Sequence, residues 1–236
     1  MADRHMETAS FKIGFLLFPD MTQLDLTGPY EVLSRLPGAE IHLISKDLAP
    51  VRSDRGLAIV PTETIATCPA LDLICVPGGP GINDLLTDTT VLDFIRDQAW
   101  GARYVTSVCT GALVLGAAGL LHGVRATTHW MSHDLLAAFG AIPVRARVVS
   151  DGRIVTGGGV TAGIDFGLTL IAEIAGRDLA EAIELGLEYD PQPPFGTGTP
   201  DRAGPALLAR MQALSARIQG IRTEQVRRAA AALTPA

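Results

Sequence analysis

Short apolar runs alternate along the chain with stretches of helical periodicity. Phe11 to Phe18 is apolar at nearly every position, the pattern of a strand buried on both faces of a parallel sheet. Asp25 to Leu36 reads as a helix that Asp25 or Thr27 could cap, with Pro29 in its first turn. Ile41 to Ser45 alternates as a strand, and Gly56 to Ile65 is β-rich in the manner of an accessory hairpin. Leu71 to Val76 predicts a further buried strand running into Pro77-Gly78-Gly79-Pro80-Gly81, and Val91 to Ala102 is helical by spacing.

Arg103 to Val108 is the next predicted strand and leads directly into Cys109-Thr110-Gly111 and a small-residue helix from Ala112 to Leu121. Arg125 to His129 reads as a short strand, and Met131 to Phe139 as a helix stopped by Gly140. Pro143 to Val149 and Arg153 to Thr156 are strands joined through Asp151-Gly152, a strong hairpin signal. Val160 to Ile174 is a long apolar helix ended by Gly176, and Ala180 to Leu187 is another helix. Tyr189 to Pro200 is a Pro- and Gly-rich linker, and Arg202 to Leu233 is Ala- and Arg-rich with helical spacing. Such alternation predicts an α/β protein whose mostly parallel sheet carries helices on both faces. Residues 1–10 read as an N-terminal extension, with His5-Met6 resembling a cloning-site remnant. Residues 11–190 form the α/β domain. Residues 191–236 form a linker and a helical segment, too short for an independent DNA-binding domain and expected to pack on the body or on a second subunit.

The length of 236 residues suits one large domain with a substantial core. A net charge of -6 argues against nucleic acid as a partner. No apolar run reaches the length of a membrane span, and the polar N-terminus lacks a signal-peptide pattern. Cys68, Cys75 and Cys109 are odd in number and irregular in spacing, which describes neither a disulfide framework nor a zinc site. Free thiols in a reducing cytoplasm are the simplest reading.

Cys109 is the sharpest chemical feature. It falls at the carboxyl end of a predicted strand, where open α/β sheets bind ligands. Ser107-Val108-Cys109-Thr110-Gly111 has the small-x-nucleophile-x-small form of a nucleophile elbow. A helix N-terminus beside the sulfur is expected to lower the thiol's pKa. The alternative is a buried core cysteine, but position and flanks favour function. Cys68 and Cys75 read as structural. Gly78 and Gly79, after a neighbouring strand, could aim backbone N–H groups at an anionic intermediate, or could simply form a turn. Asp25 is by pattern alone a helix cap rather than a proton-transfer group. His129 could equally pair with Cys109 or serve as a hydrogen-bonded structural residue. His42, His122 and His133 look like surface or interface residues. Gly158, in Thr156-Gly157-Gly158-Gly159-Val160-Thr161, could bind an anion at a helix N-terminus or allow close approach to the Cys109 loop.

These segments together resemble the ThiJ/PfpI superfamily, relatives of class I glutamine amidotransferases, and within it the bacterial isocyanide hydratases. The resemblance covers nearly the whole chain. It is carried by Ile13 to Pro19, Gln23 to Pro29, Cys75 to Gly79, Thr106 to Gly111, Ala126 to Trp130 and Thr156 to Phe166. It implies a flavodoxin-like fold, a homodimer, Cys109 as nucleophile and Asp25 as its essential carboxyl neighbour. Thr110 stands where protease-like relatives carry a histidine, which argues against peptidase activity. The implied reaction is hydration of a small isocyanide to an N-formamide, with no metal or organic cofactor. Thr110 and the backbone at Gly78 and Gly79 would orient Asp25, water or the intermediate.

Two other readings stand beside this one. One is the ligand-sensing half of a transcription regulator, although such regulators continue into a helix-turn-helix domain where this sequence stops. The other is a glyoxalase-like or stress-related cysteine chemistry, whose members place a glutamate near the thiol where this chain offers Asp25. A low-pKa thiol would also suit redox sensing.

Overall fold

The computed structural model describes residues 10–233, so residues 1–9 of the expected extension lie outside the described residues. The apolar opening forms β1 (Phe11–Leu16), followed by α1 (Gln23–Leu33) and β2 (Ala39–Ser45). Helix α1 starts at Gln23, two residues earlier than expected, so Asp25 lies within its first turn and Pro29 inside the helix. Short strands β3 (Val51–Arg52), β4 (Ala58–Ile59) and β5 (Glu63–Thr64) follow. The hairpin expected within Gly56 to Ile65 is instead β3 with β4, while β5 joins the main sheet parallel to β2.

Next come β6 (Leu73–Val76), α2 (Ile82–Leu85), α3 (Thr89–Gly101), β7 (Tyr104–Val108) and α4 (Gly111–Ala117). Beyond β8 (Arg125–Ala126), residues Trp130–Phe139 form a 3-10 helix rather than an α-helix. Its buried His133, Leu136 and Phe139 recur every third residue, which aligns them on one face only at three residues per turn. His133, expected at the surface, is therefore buried. Strand β9 (Ile142–Pro143) pairs with β8, and the strand expected from Pro143 onward resumes only at β10 (Val148–Asp151). Between them the Arg147 side chain is drawn outward to Asp165 Oδ2 at 2.7 Å. β11 (Ile154–Gly157), α5 (Ala162–Ala175), α6 (Arg177–Gly186), α7 (Pro200–Ala203) and α8 (Pro205–Leu233) complete the chain.

The main sheet has the order β10-β11-β7-β6-β1-β2-β5, parallel throughout except for β10 against β11. This mostly parallel sheet, flanked by helices, is a flavodoxin-like α/β architecture. Ile13, Phe15, Leu73, Ile74 and Val105 on its central strands are fully buried. Helices α1, α5 and α6 pack together, and α2, α4, α8 and the 3-10 helix form a second group. The chain leaves β1 toward β2, then returns to β6 on the opposite side of β1. The strand order therefore reverses between β1 and β6, and it is beyond the carboxyl ends of such strands that open α/β sheets bind ligands. The segments after β1, β6 and β7 all end there.

Candidate active site

Cys109 sits between β7 and α4 with φ 56°, a left-handed conformation that costs a non-glycine residue about 1–3 kcal/mol. The surroundings hold it there. Its N–H is shared between the carbonyls of Gly157 at 3.0 Å and Gly158 at 2.9 Å, and its own carbonyl accepts from Thr128 Oγ1 at 2.7 Å. The elbow's final small residue is required by space: a Cβ on Gly111 would lie 2.0 Å from the Val76 carbonyl oxygen.

Asp25 is fully buried and faces this sulfur from the first turn of α1. Its carboxyl does not cap its own helix. Oδ2 accepts from the Gly78 N–H at 3.2 Å, 53 residues away in sequence, while Oδ1 is buried without a hydrogen bond. Burial pushes the carboxyl up to about 7, although interactions with the Cys109 side chain and the Gly78 N–H pull it down and Asp54 adds repulsion. The thiol is likewise pushed well above its ordinary value, by burial first and by the Asp25 charge second. The Thr110 N–H and the Arg222 charge oppose this. The expectation of a lowered thiol pKa is thus corrected: one helix-end amide does not outweigh burial beside a carboxylate. Thiol and carboxyl behave as a coupled pair in which each group's charge disfavours ionisation of the other.

The other expected residues frame this pair. The Gly79 N–H donates to Thr110 Oγ1 at 3.0 Å, and that hydroxyl donates to the Gly79 carbonyl at 3.3 Å. Gly78 and Gly79 therefore already spend their N–H groups on Asp25 and Thr110 and do not stand free for an oxyanion. The Gly158 N–H is also engaged, with the Arg147 carbonyl at 2.8 Å, so Gly158 serves the site through its carbonyl on Cys109 rather than as an anion donor. His129 Nδ1 accepts from the Met131 N–H at 3.4 Å and begins the 3-10 helix. Burial, aided by the Arg222 charge, lowers this imidazole to about 4, so it is neutral at pH 7. Among the described residues no hydrogen bond joins it to Cys109. Beside it lies a cavity of about 220 Å³ lined by apolar side chains that include Trp130, Met131, Leu207, Leu208 and Met211.

Arg222, on α8, is the residue sequence reasoning missed. It is buried and reaches Gly79 O, Asn83 Oδ1 and Ser132 Oγ. Its signal was an arginine in line with Ile218 and Val226, an i, i+4, i+8 row that is otherwise apolar. Among the described residues no group of three or more His, Cys, Asp or Glu side chains is placed to hold a metal ion, and no helix is long and apolar enough to cross a membrane.

A cysteine elbow facing a buried carboxyl at the switch point of a mostly parallel sheet defines a recognisable class of α/β proteins. Residues 11–173 match the model of the DJ-1/PfpI family, and the chain belongs to that family. It is 58% identical over 224 residues to isonitrile hydratase of Pseudomonas putida, covering 95% of this chain and 98% of that protein. It is 36% identical over 189 residues to the HTH-type transcriptional regulator GbdR of Pseudomonas aeruginosa (strain UCBPP-PA14), covering 75% of this chain but 50% of the regulator. A ThiJ/PfpI family protein from Pseudomonas syringae superposes with a TM-score of 0.89 at 44% identity, covering 98% of this chain and 97% of that one.

Proposed function

We propose that this chain is an isocyanide hydratase, with Cys109 as nucleophile and Asp25 as the group that delivers and recovers protons. The observation that carries the reading is the fully buried Asp25 carboxyl facing the elbow thiol with its own pKa raised to about 7. A carboxyl in that range both gives and takes a proton at neutral pH. The near full-length likeness to isonitrile hydratase of Pseudomonas putida supports the same chemistry.

The reaction proceeds from the tautomer with thiolate on Cys109 and the proton on Asp25. Sγ bonds to the terminal isocyanide carbon, and that carbon takes the Asp25 proton, giving an S-linked thioimidate. Water then adds to the same carbon. Asp25 accepts the water's proton and passes it to the substrate nitrogen, leaving a tetrahedral adduct with one hydroxyl. Asp25 takes the hydroxyl proton as the carbonyl forms and the C–S bond breaks. This releases the N-formamide and restores the starting tautomer, so the net change is one water added. Thr110, Gly78 and Gly79 keep the carboxyl and its loop in register, and Gly158 holds the elbow backbone. His129, neutral throughout, borders the cavity, but neither Cys109 nor Asp25 lines it. Residues 11–190 act as the α/β domain, with residues 191–236 as an arm. The chain works as a homodimer in the cytoplasm, a location to which its free thiols are suited.

The test is to mix the protein with a simple aryl or alkyl isocyanide and follow formamide by chromatography, with Cys109→Ala and Asp25→Ala alongside. Turnover is expected for the parent, with losses of about a hundredfold or more in each variant. A parent without formamide production removes the hydratase reading, and turnover surviving in Cys109→Ala removes the mechanism. Consumption of methylglyoxal in the same panel would favour the glyoxalase-like alternative.

A further inference from the structure

Helix α8 brings a guanidinium into the interior without an acidic partner. Arg222 Nε donates to Asn83 Oδ1 at 3.0 Å, one terminal nitrogen to Ser132 Oγ at 3.1 Å and the other to the Gly79 carbonyl at 3.2 Å. All three acceptors are neutral, and among the described residues no carboxylate lies within ion-pair distance of this side chain. Ser132 is further fixed by its hydrogen bond to Gln219 at 3.3 Å, one turn earlier on α8. A buried charge with no counter-ion is unfavourable, so its retention calls for an anion supplied by its surroundings. The Gly79 carbonyl it grips belongs to the residue whose N–H holds Thr110, and the neighbouring Gly78 N–H holds Asp25.

We propose that Arg222 is a positioning residue, a fixed positive charge that the C-terminal helix places behind the Gly78-Gly79 loop to stabilise the Cys109 thiolate. Two opposed charges act on the thiol: Asp25 from α1 disfavours its ionisation, and Arg222 from α8 favours it with the smaller effect. Asp54 acts on Asp25, and neutral His129 faces Arg222. The arm contributes a charge that partly offsets the burial and the carboxyl that disfavour the thiolate, rather than only covering the body.

The proposal deepens the hydratase reading, but its test needs no isocyanide, so the two can fail separately. The rate of Cys109 alkylation by iodoacetamide is followed against pH, with the modified peptide identified by mass spectrometry, in four proteins: the parent, Arg222→Gln, Arg222→Lys and Asn83→Asp. Circular dichroism and thermal melting verify folding. Arg222→Gln removes the charge and keeps hydrogen-bonding capacity. Asn83→Asp is nearly isosteric and gives the guanidinium a carboxylate of its own. Both should raise the pH of half-ionisation by about one unit, a roughly tenfold loss of alkylation at a fixed pH below it, with Arg222→Lys within about threefold of the parent. Should Arg222→Gln not fold, Asn83→Asp decides, because it leaves the guanidinium in place. An unchanged profile in Asn83→Asp or in a folded Arg222→Gln overturns the proposal. An equal rise in Arg222→Lys also overturns it, since shape rather than charge would then be responsible.

Discussion

Asp25→Asn separates the two things that the carboxyl does to the thiol. The amide keeps the shape and can still accept from the Gly78 N–H, but it carries no charge and donates no acidic proton. Burial is the largest influence raising the Cys109 pKa, and the substitution leaves it untouched. The Asp25 charge is the second and its side-chain interaction adds to it, and both disappear, while the Thr110 N–H and Arg222 continue to favour thiolate. Two like charges about 4 Å apart repel by about 4 kcal/mol at an effective dielectric of about 20, which sets a ceiling of about three pKa units. Because Asp25 is itself partly protonated near pH 7, the thiol's pKa should fall by less than that ceiling. Cys109 should therefore alkylate faster at neutral pH in the variant while hydration of isocyanide falls by a hundredfold or more, for want of a proton donor to carbon. Burial also raises Cys68, to about 11, and Cys75, to about 12, so the modified peptide is identified by mass spectrometry to assign the signal to Cys109. An unchanged or higher thiol pKa in Asp25→Asn, or turnover at the parental rate, would refute the coupled-pair account.

The same carboxyl leaves a mark on stability. Its pKa is raised from 3.8 to about 7 on folding, so the folded state binds the proton more tightly and stability is lost as pH rises through that interval. The stability of Asp25→Asn relative to the parent should grow between about pH 4 and pH 7 by up to about 4 kcal/mol and level off above, as read from urea unfolding at a series of pH values. His129, lowered to about 4, works in the opposite direction, destabilising the fold as pH falls, but it is common to both proteins and cancels in the difference. Thr110→Val leaves the buried Gly79 N–H without its acceptor and should cost about 1–3 kcal/mol, with a lower kcat, whereas Thr110→Ser should recover most of both; denaturation and steady-state kinetics on the three proteins check this.

What the sequence made legible was local. Cys109 announced itself because an elbow needs an apolar strand, a nucleophile and small neighbours within five residues, and the 2.0 Å approach that Gly111 avoids is the physical reason for that spacing. The Asp151-Gly152 turn likewise fixed the β10–β11 hairpin. The main sheet's order was less open to such reading: β5 pairs with β2 instead of joining a local hairpin, a distant partner that the residues of β5 alone do not specify. Asp25 read as a cap because a carboxylate near a helix start is usually one. Its real partner, Gly78, is 53 residues away, and only the family resemblance pointed past the local pattern. The direction of the thiol's pKa failed for the same reason. The helix-end effect is visible in sequence because it is contiguous, whereas desolvation and the facing carboxylate exist only after the sheet has folded. Arg222 is the extreme case, a side chain 143 residues from the carbonyl it binds and one arginine among several on α8. In an apolar row an arginine has to find polar partners or leave the interior. The row Ile218, Arg222, Val226 therefore carried information about a site that its own neighbourhood does not contain, and a buried cation on an otherwise apolar helix face is a reason to look across the fold for the anion it serves.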